Sequence, residues 1–307
     1  MIDLKYRCVI WGISDEYEKI INVIKFEEIL GNLKVVALVC RKEDRYSLKH
    51  DGYPVILKED LKSVSFDLLI IANENRYDEI SNEFKANVDN KWNGVICKAR
   101  AFLLPNFNIH LYINLLKHPI TLISNDCWGG LLYNRLGLKF SSPFINTNIL
   151  ANDYVKIFNN PLYYLSQELC FYRESDYLAG EDPMGTLGKE DKLVKIHFSH
   201  YLNFEEAEAA WKRRFKRINI NRLFLKANCF AKDNIDLSLF KNNEFSHIIF
   251  TDKKTFDPNR NDVFICKRRM HSSFEYFGNA IRVHSYSQFE INYLKLLNGC
   301  KPFSREC

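Results

Sequence analysis

The sequence predicts an α/β protein with two different α/β domains, the first of them a Rossmann-like, doubly wound parallel sheet. Three observations support this fold class. Short apolar runs of strand length alternate with segments of helical periodicity. The runs are apolar throughout, which is typical of parallel strands covered on both faces. The length of 307 residues also exceeds that of a usual single domain.

The first part of the chain alternates strands and helices joined by short loops, the order of an open doubly wound sheet. Strands are expected over residues 6–11, 35–40, 53–57, 67–72 and 95–104. Helices or helical turns are expected over residues 15–30, 59–62, 76–85 and 107–117. Pro105 and Pro119 bracket the last of these helices. The domains are therefore expected to span residues 1–117 and 118–307.

The second part also mixes both kinds of element. Strands are expected over residues 120–124, 193–198, 223–225, 247–250 and 263–267. Helices are expected from Leu131, over 154–171 with a break at Pro161, over 203–218 and over 286–297. The stretch 179–190 holds three glycines and a proline, which predicts a loop.

Charge and cysteine usage narrow the functional classes. The net charge is +5, and the basic excess lies after Lys117. So small a surplus does not imply nucleic acid, but it suits an anionic small molecule such as a phosphorylated sugar or a nucleotide. The nine cysteines include no C-x-x-C and no Cys/His cluster, so no metal site is predicted. Their odd number, with no apolar leader or bilayer-length run, favours a cytoplasmic protein that enters no membrane.

The first candidate site is the turn after the first strand. A dinucleotide fingerprint requires three glycines there, but only Gly12 is present, and Ser14 and Tyr17 replace the others. The second strand is followed by Arg41 and Lys42 and not by the acidic residue that binds an NAD ribose. NAD(P) is therefore not the expected cofactor, and a scaffold that kept only the fold is the simpler interpretation.

The order GI–helix–VVALV–GYPVI–DLLIIAN resembles the small Rossmann-like N-terminal domain of bacterial sugar O- and N-acyltransferases over residues 5–85. In that family the domain holds the nucleotide-sugar at the carboxyl edge of the sheet. The resemblance implies that Gly12, Ser14, Ala72 and Asn73 form this edge here. The hexapeptide repeats of those enzymes are absent from this sequence, so acetyl transfer is not predicted.

The second candidate is a strand-to-helix loop with small and polar residues, the way α/β folds form a ligand crevice. Its residues are Ser124, Asn125, Asp126, Cys127, Trp128, Gly129 and Gly130. Asp126 is suited to orient a sugar hydroxyl or to act as a base, and its alternative role is a helix cap. Cys127, near a helix start, is expected either to have enhanced thiolate character or to be a small core thiol.

The third candidate is the helix over 203–218. Asn203 and Glu206 form a capping-box-like start. Apolar residues at helical spacing, including Trp211, predict its buried stripe (Phe204, Ala207, Trp211, Phe215, Ile218). Arg213, Arg214 and Arg217 crowd its end, either to clamp a phosphate or carboxylate or only to favour the helix dipole.

Two histidines precede this helix. His197 and His200 flank a strand end, and such a pair is suited to acid–base catalysis. The alternative is one buried, hydrogen-bonded ring and one exposed ring. Asp182 and Asp252 are weaker candidates of the same kind.

Two blocks of the second part resemble a family of bacterial proteins labelled exopolysaccharide-biosynthesis proteins, from about His118 to Lys254. The family has a SN-x-C-x-GG turn, a S-P-x-x-N segment and an A-x-x-x-W-x-x-R helix. The matching residues are Ser124, Asn125, Cys127, Gly129, Gly130, Ser142, Pro143, Asn146, Ala207, Trp211 and Arg214. The resemblance implies a role in the assembly of surface polysaccharides.

These observations lead to one expectation and one alternative. The expectation is a cytoplasmic component of bacterial surface-polysaccharide or glycoprotein-glycan synthesis that binds a sugar nucleotide or phosphorylated sugar. The substrate-binding residues are expected to be Ser124–Gly130 apart from Asp126, with Asn146, Arg213, Arg214 and Arg217, and the catalytic ones Asp126, His197 and His200. If it is an enzyme, sugar transfer or modification is the expected class. The alternative is a non-catalytic partner protein of the same pathway, and the sequence leaves oligomer formation open.

Overall fold

The computed structural model of the chain describes residues 6–40, 48–88, 92–175, 181–230, 233–241, 243–252, 260–265 and 291–299. The chain divides into two compact units, residues 1–117 with 135–138 and residues 118–134 with 139–307. Both units mix strands and helices, which confirms the predicted fold class. No helix within the described part of the chain combines the length and apolar character that crossing a membrane requires.

The first unit follows the predicted alternation closely. Its elements are β1 (Tyr6–Trp11), α1 (Asp15–Ile29), β2 (Leu33–Cys40), β3 (Lys49–His50), β4 (Tyr53–Leu57), β5 (Leu68–Ile71), α2 (Tyr77–Asn87), β6 (Val95–Lys98) and α3 (Ile109–Lys117). A 3₁₀ helix over Lys58–Ser63 connects β4 to β5, and another follows β6 over Ala99–Leu103.

The strand order of this unit is that of a doubly wound sheet. The order is β3-β4-β2-β1-β5-β6, with β3 antiparallel to β4 and all the other pairs parallel. The chain leaves β1 toward one side of the sheet and leaves β5 toward the other. The carboxyl ends of β1 and β5 are therefore the topological switch point, where such sheets bind their ligands.

The second unit contains two sheets. Its elements are β7 (Thr121–Ser124), α4 (Trp128–Leu136), α5 (Ala151–Asn159), α6 (Pro161–Leu165), β8 (Cys170–Arg173), β9 (Met184–Leu187), β10 (Val194–His197), α7 (Phe204–Phe215), β11 (Leu223–Asn228), β12 (Ser246–Thr251), β13 (Val263–Ile265) and α8 (Tyr293–Leu297). Strands β13-β12-β11-β7 form a parallel sheet, and β10-β9-β8 form an antiparallel one. Its core joins residues of both sheets to α5 and α7, including Tyr154, Phe158 and Trp211.

Several predicted bounds are wrong, each for a local reason. The strand expected over 95–104 ends at Lys98, where a 3₁₀ helix begins. Helix α4 begins at Trp128 and not at Leu131, so both glycines belong to its first turn and not to the loop before it. The helix expected over 154–171 ends at Leu165, and β8 follows it. The loop expected over 179–190 contains β9, because Gly185, one of the glycines that indicated a loop, lies inside this strand.

Two predictions at the end of the chain extend beyond the described residues. The strand expected over 263–267 is described as far as Ile265, and of the helix expected over 286–297 only residues 291–297 are described. Helix α7 ends at Phe215, three residues before the predicted end, and Phe215 is exposed. Arg214 takes the buried position instead.

Candidate functional site

The predicted loop lies at the carboxyl ends of two neighbouring parallel strands. β7 pairs with β11 in parallel, with Ser124 opposite Lys226. Just beyond, Asn125 holds the two strand ends together, because its Oδ1 accepts from the backbone N–H of Asn228 at 3.0 Å and its Nδ2 donates to the Asn228 carbonyl at 3.3 Å. This is the edge at which open parallel sheets place their ligand crevices.

A buried ion pair lies at the centre of this edge. Nζ of Lys226 lies 2.8 Å from both carboxylate oxygens of Asp126. The side chain of Lys226 is fully buried, and that of Asp126 keeps 15% of its exposure. The ammonium also lies 5.8 Å from the ring centre of Trp128 and 5.7 Å from that of Phe250. Such rings favour a desolvated cation.

Asp126 also caps α4. Its Oδ1 accepts from the backbone N–H of Trp128 at 3.1 Å, and its Oδ2 accepts from Nδ2 of Asn228 at 2.5 Å. The cap that the sequence offered as an alternative is therefore present. The carboxylate is held in one orientation by an ammonium, an amide side chain and a helix N-terminus.

The two glycines allow the first turn of α4 to approach its neighbours. Ser124 Oγ donates to the Asp126 carbonyl at 2.7 Å and accepts from the Gly129 N–H at 3.3 Å. A Cβ on Gly129 would lie 3.0 Å from Ser124 Oγ, and one on Gly130 would lie 3.3 Å from Oδ1 of Asn146. Asn146 has a φ of +60°. The structure thus brings Asn146 to the predicted loop.

Cys127 lies beside His200 at the exposed end of the site. Its Sγ is 3.5 Å from Nε2 of His200. Burial, with the charge of Asp126, raises the pKa of Cys127 to about 11. This direction opposes the expected thiolate character, because partial burial beside a carboxylate outweighs the helix start, and the reactivity of Cys127 stays a prediction.

The two histidines have different surroundings. His200 is exposed and has a φ of +78°. His197 lies in β10, where its backbone exchanges hydrogen bonds with Asn148 at 2.8 and 3.0 Å. Burial lowers the pKa of His197, although the carboxylate of Asp182 opposes that shift. The structure brings His200 to Cys127 of the loop, and the catalytic role of either ring stays a prediction.

The three arginines have different surroundings. Arg214 is buried, and its Nη1 donates to the Ile145 carbonyl at 3.0 Å and to the Tyr201 hydroxyl at 2.5 Å. Arg217 lies beyond the helix end, and its Nη1 donates to the Phe140 carbonyl at 3.2 Å. Arg213 is exposed on α7. Two of the arginines therefore support the segment that leads to Asn146, and the predicted anion clamp stays a prediction.

The three predicted residues of the first unit converge at its switch point. Gly12 has a φ of +109°, and a Cβ there would lie 2.8 Å from the Ala72 carbonyl oxygen. Ser14 Oγ donates to that same oxygen at 2.6 Å and accepts from the Glu16 N–H at 3.3 Å, so it caps α1. Asn73 Oδ1 accepts from the Arg76 N–H at 3.1 Å. All three have structural roles at this edge.

Sequence reasoning missed Lys226 and Asn228. The predicted strand ended at Leu225, yet β11 continues to Asn228, and both polar side chains belong to the site. The signal was a pair of polar residues two apart, Lys226 and Asn228, at the end of an apolar strand.

Among the described residues, Asn228 Oδ1 and Trp128 Nε1 are buried without a hydrogen-bond partner. No group of three His, Cys, Asp or Glu side chains in those residues is suited to hold a metal ion.

Similarity to known proteins follows the same division into two parts. The family described as a domain of unknown function, DUF1919, matches residues 98–295. A second family, described as C2185-like, N-terminal, matches residues 4–91. An uncharacterized protein of Haemophilus influenzae is 31% identical over 151 residues, which are 48% of this chain and 68% of the relative. The chain belongs to the DUF1919 family.

Proposed function

We propose that this protein binds a phosphorylated sugar or a sugar nucleotide at the carboxyl edge of its second parallel sheet. We further propose that it acts in the synthesis of bacterial surface polysaccharides or glycoprotein glycans. The observation that supports the binding site best is the convergence of Asp126, Asn146 and His200 on one loop. Carboxylate, amide and imidazole groups are the side chains that hydrogen-bond sugar hydroxyls.

Local strain at the same place supports a binding role. Asn146 and His200 both have positive φ angles, and Asn228 Oδ1 is buried without a partner among the described residues. Backbone strain of this kind costs about 1–3 kcal/mol for each residue and is concentrated at functional sites. A buried orphan oxygen costs about as much again. A fold optimised only for stability would not place all three around one loop.

The hydrogen bonds within the loop indicate where the anionic part of the ligand is expected. The N–H groups of Trp128 and Gly129 are used by Asp126 and Ser124, so the start of α4 is capped from within. The exposed imidazole of His200 lies beside Cys127 of this loop, and its ring N–H is suited to donate to a phosphate oxygen. The phosphate is therefore expected beside His200, with the sugar hydroxyls toward Asn146.

The pathway rests on the resemblance of the SN-x-C-x-GG turn and its companion motifs to exopolysaccharide-biosynthesis proteins. If the protein is an enzyme, sugar transfer or modification is the proposed class, with His200 as the acid–base group, because its ring is exposed. A non-catalytic partner protein of the same pathway is the second candidate. The engagement of both Asp126 oxygens by Lys226 and Asn228 favours that candidate, since it removes the obvious carboxylate base.

The test is a thermal-shift screen of UDP-, GDP- and CMP-sugars and of hexose phosphates, with NAD(P) and acyl-CoA as comparison ligands. A ligand at a hundred times its Kd stabilises the fold by about 2.7 kcal/mol. Asn146→Gly removes the amide and tolerates the positive φ, and Asn234→Gly is the matched control at another positive φ in the same unit. Stabilisation by a sugar nucleotide or a hexose phosphate, lost in Asn146→Gly and kept in Asn234→Gly, is the expected result.

Other outcomes would contradict the proposal. Stabilisation by NAD(P) or acyl-CoA alone would mean a different ligand class. Stabilisation that Asn146→Gly retains in full would mean that the sugar binds elsewhere. If a sugar nucleotide binds, product analysis with His200→Asn, which also suits a positive φ, separates the two candidates. Turnover that this variant abolishes while binding persists supports the enzyme.

A further inference from the structure

The first unit contains a cavity of about 690 Å³, and we propose that it is a binding site for an uncharged, ring-bearing small molecule. It lies on the sheet face that α2 covers, among residues of the cluster that joins Trp11, Phe66 and Phe84. Small-molecule sites typically enclose about 300–1,000 Å³. This inference does not depend on the proposed sugar site.

The cavity has a topological cause. β4 and β5 are separated in the sheet by β2 and β1, so the connection between them must cross roughly 14 Å. Parallel crossovers need a connection of a dozen or more residues, which usually contains an α-helix. Here only residues 58–67 are available, and their regular part is the 3₁₀ helix Lys58–Ser63. A segment this short leaves part of the sheet face beside α2 uncovered.

Aromatic side chains form the walls of the cavity. Phe84 and Trp92 pack edge to face with ring centres 4.9 Å apart, and Phe66 lies 5.7 Å from Trp92 and 6.0 Å from Phe84. Trp92 Nε1 donates to the Phe66 carbonyl at 3.0 Å, which fixes the indole plane. Trp11, at the end of β1, is also part of the lining. Rigid rings at several angles suit a ligand that is itself a ring.

The charges at the rim balance one another. Lys58 Nζ and Glu83 Oε1 form an ion pair at 2.7 Å, and Glu59 and Lys62 add one charge of each sign. Such a rim offers no net attraction to an anion or a cation. The lining therefore selects a neutral ligand, in contrast to the anionic ligand proposed for the second unit.

The experiment is a fluorescence titration of the whole chain with N-phenyl-1-naphthylamine, a neutral aromatic probe. Its sulfonated analogue, anilinonaphthalene sulfonate, tests the charge. Val64→Trp places a large ring in the cavity from its half-buried wall, and Asn87→Trp does so from its exposed rim. Leu48→Trp is the matched control, because that side chain is 72% exposed and outside the cavity. Circular dichroism and Tm establish that each variant folds.

Saturable binding of the neutral probe at one site per chain is expected. At least one folded cavity variant should weaken this binding by about tenfold or more, while Leu48→Trp leaves it unchanged. Absence of saturable binding would overturn the proposal. So would two folded cavity variants that both bind the probe as tightly as the unaltered chain does. Binding of the sulfonate alone would overturn its neutral ligand. Self-association that Asn87→Trp abolishes, without probe binding, would show that a second copy covers the cavity instead.

Discussion

Lys226 and Asp126 form a buried ion pair in which one ammonium lies 2.8 Å from both carboxylate oxygens. The lysine side chain is fully buried, and its ammonium lies near two aromatic rings. Loss of one partner from such a pair leaves the other charge uncompensated in a region of low dielectric constant. The relationship therefore makes the site and the stability of the fold depend on the same two residues.

We expect Lys226→Met and Asp126→Asn each to lower the free energy of unfolding by about 3–5 kcal/mol. The double variant should lose less than the sum of the two, because neither charge is then left alone. Urea denaturation measures all three. The exposed pair Glu208–Lys212, with an N–O distance of 2.8 Å, is the control, and Lys212→Met should change stability by about 0.5 kcal/mol or less. Additive losses in the cycle would contradict the coupling.

A comparison of Gly12 with Gly52 distinguishes two costs of replacing a glycine, which are backbone strain at positive φ and steric clash of the added Cβ. Both have positive φ angles, but a Cβ on Gly12 would lie 2.8 Å from the Ala72 carbonyl oxygen, and one on Gly52 would have nothing within 4 Å. Gly52→Ala is therefore expected to lose about 1 kcal/mol from backbone strain. Gly12→Ala should lose clearly more, since its backbone must also move. Equal losses in urea denaturation would show that the close approach relaxes freely.

The alternation of elements in the first unit could be predicted from the sequence because its strands are apolar throughout and its helices have regular periodicity. Elements that lacked those signals were missed. β8 is exposed, and Gly185 in β9 brings the backbone close to Leu169, so neither strand shows the alternation that marks a half-buried strand. The crossover after β4 was expected as a helical turn, but its cavity was not foreseen.

The candidate site could be located from sequence, but its bonding could not. Asp126 and Cys127 were found because they stand between a strand and two glycines. Lys226 was missed because a lysine at the end of an apolar run suggests solvent, and only the pairing of β11 with β7 places it opposite Ser124. Likewise, Arg214 was expected to be available to a ligand, although the rotation of α7 buries it against Ile145 and Tyr201.

Arg214 and its neighbour Arg213 are predicted to differ sharply in their effect on stability. Arg214→Ala removes charged hydrogen bonds from a carbonyl and a hydroxyl, and also a contact with the Phe140 ring at 5.3 Å. We expect a loss of about 2–3 kcal/mol or more in the free energy of unfolding. Arg213→Ala, at an exposed position, should change it by about 0.5 kcal/mol or less. Similar effects in thermal denaturation would contradict the assignment.

Asp262 is predicted to contribute to acid sensitivity. Burial alone would raise the pKa of Asp262, but hydrogen bonds from His247 and Arg260 outweigh it and hold the pKa below its ordinary value. A depressed folded-state pKa gives stability that is present above the unfolded pKa of about 4 and is lost as the pH falls below it. Asp262→Asn should therefore flatten the decrease in stability below about pH 4. An unchanged acid limb in pH-dependent urea denaturation would contradict this.

Cys127 is predicted to be a slow nucleophile at neutral pH, although its Sγ lies 3.5 Å from the His200 ring. Because burial beside Asp126 raises its pKa to about 11, only a small fraction is thiolate near neutrality. Its rate of alkylation by iodoacetamide, followed by mass spectrometry of the Cys127 peptide, should rise about tenfold per pH unit between about pH 7 and 10. Cys170, which is exposed, serves as the internal standard for reagent access. A Cys127 rate that is already constant across that range would indicate a thiolate–imidazolium pair with His200, and nucleophilic catalysis would then become the leading mechanism.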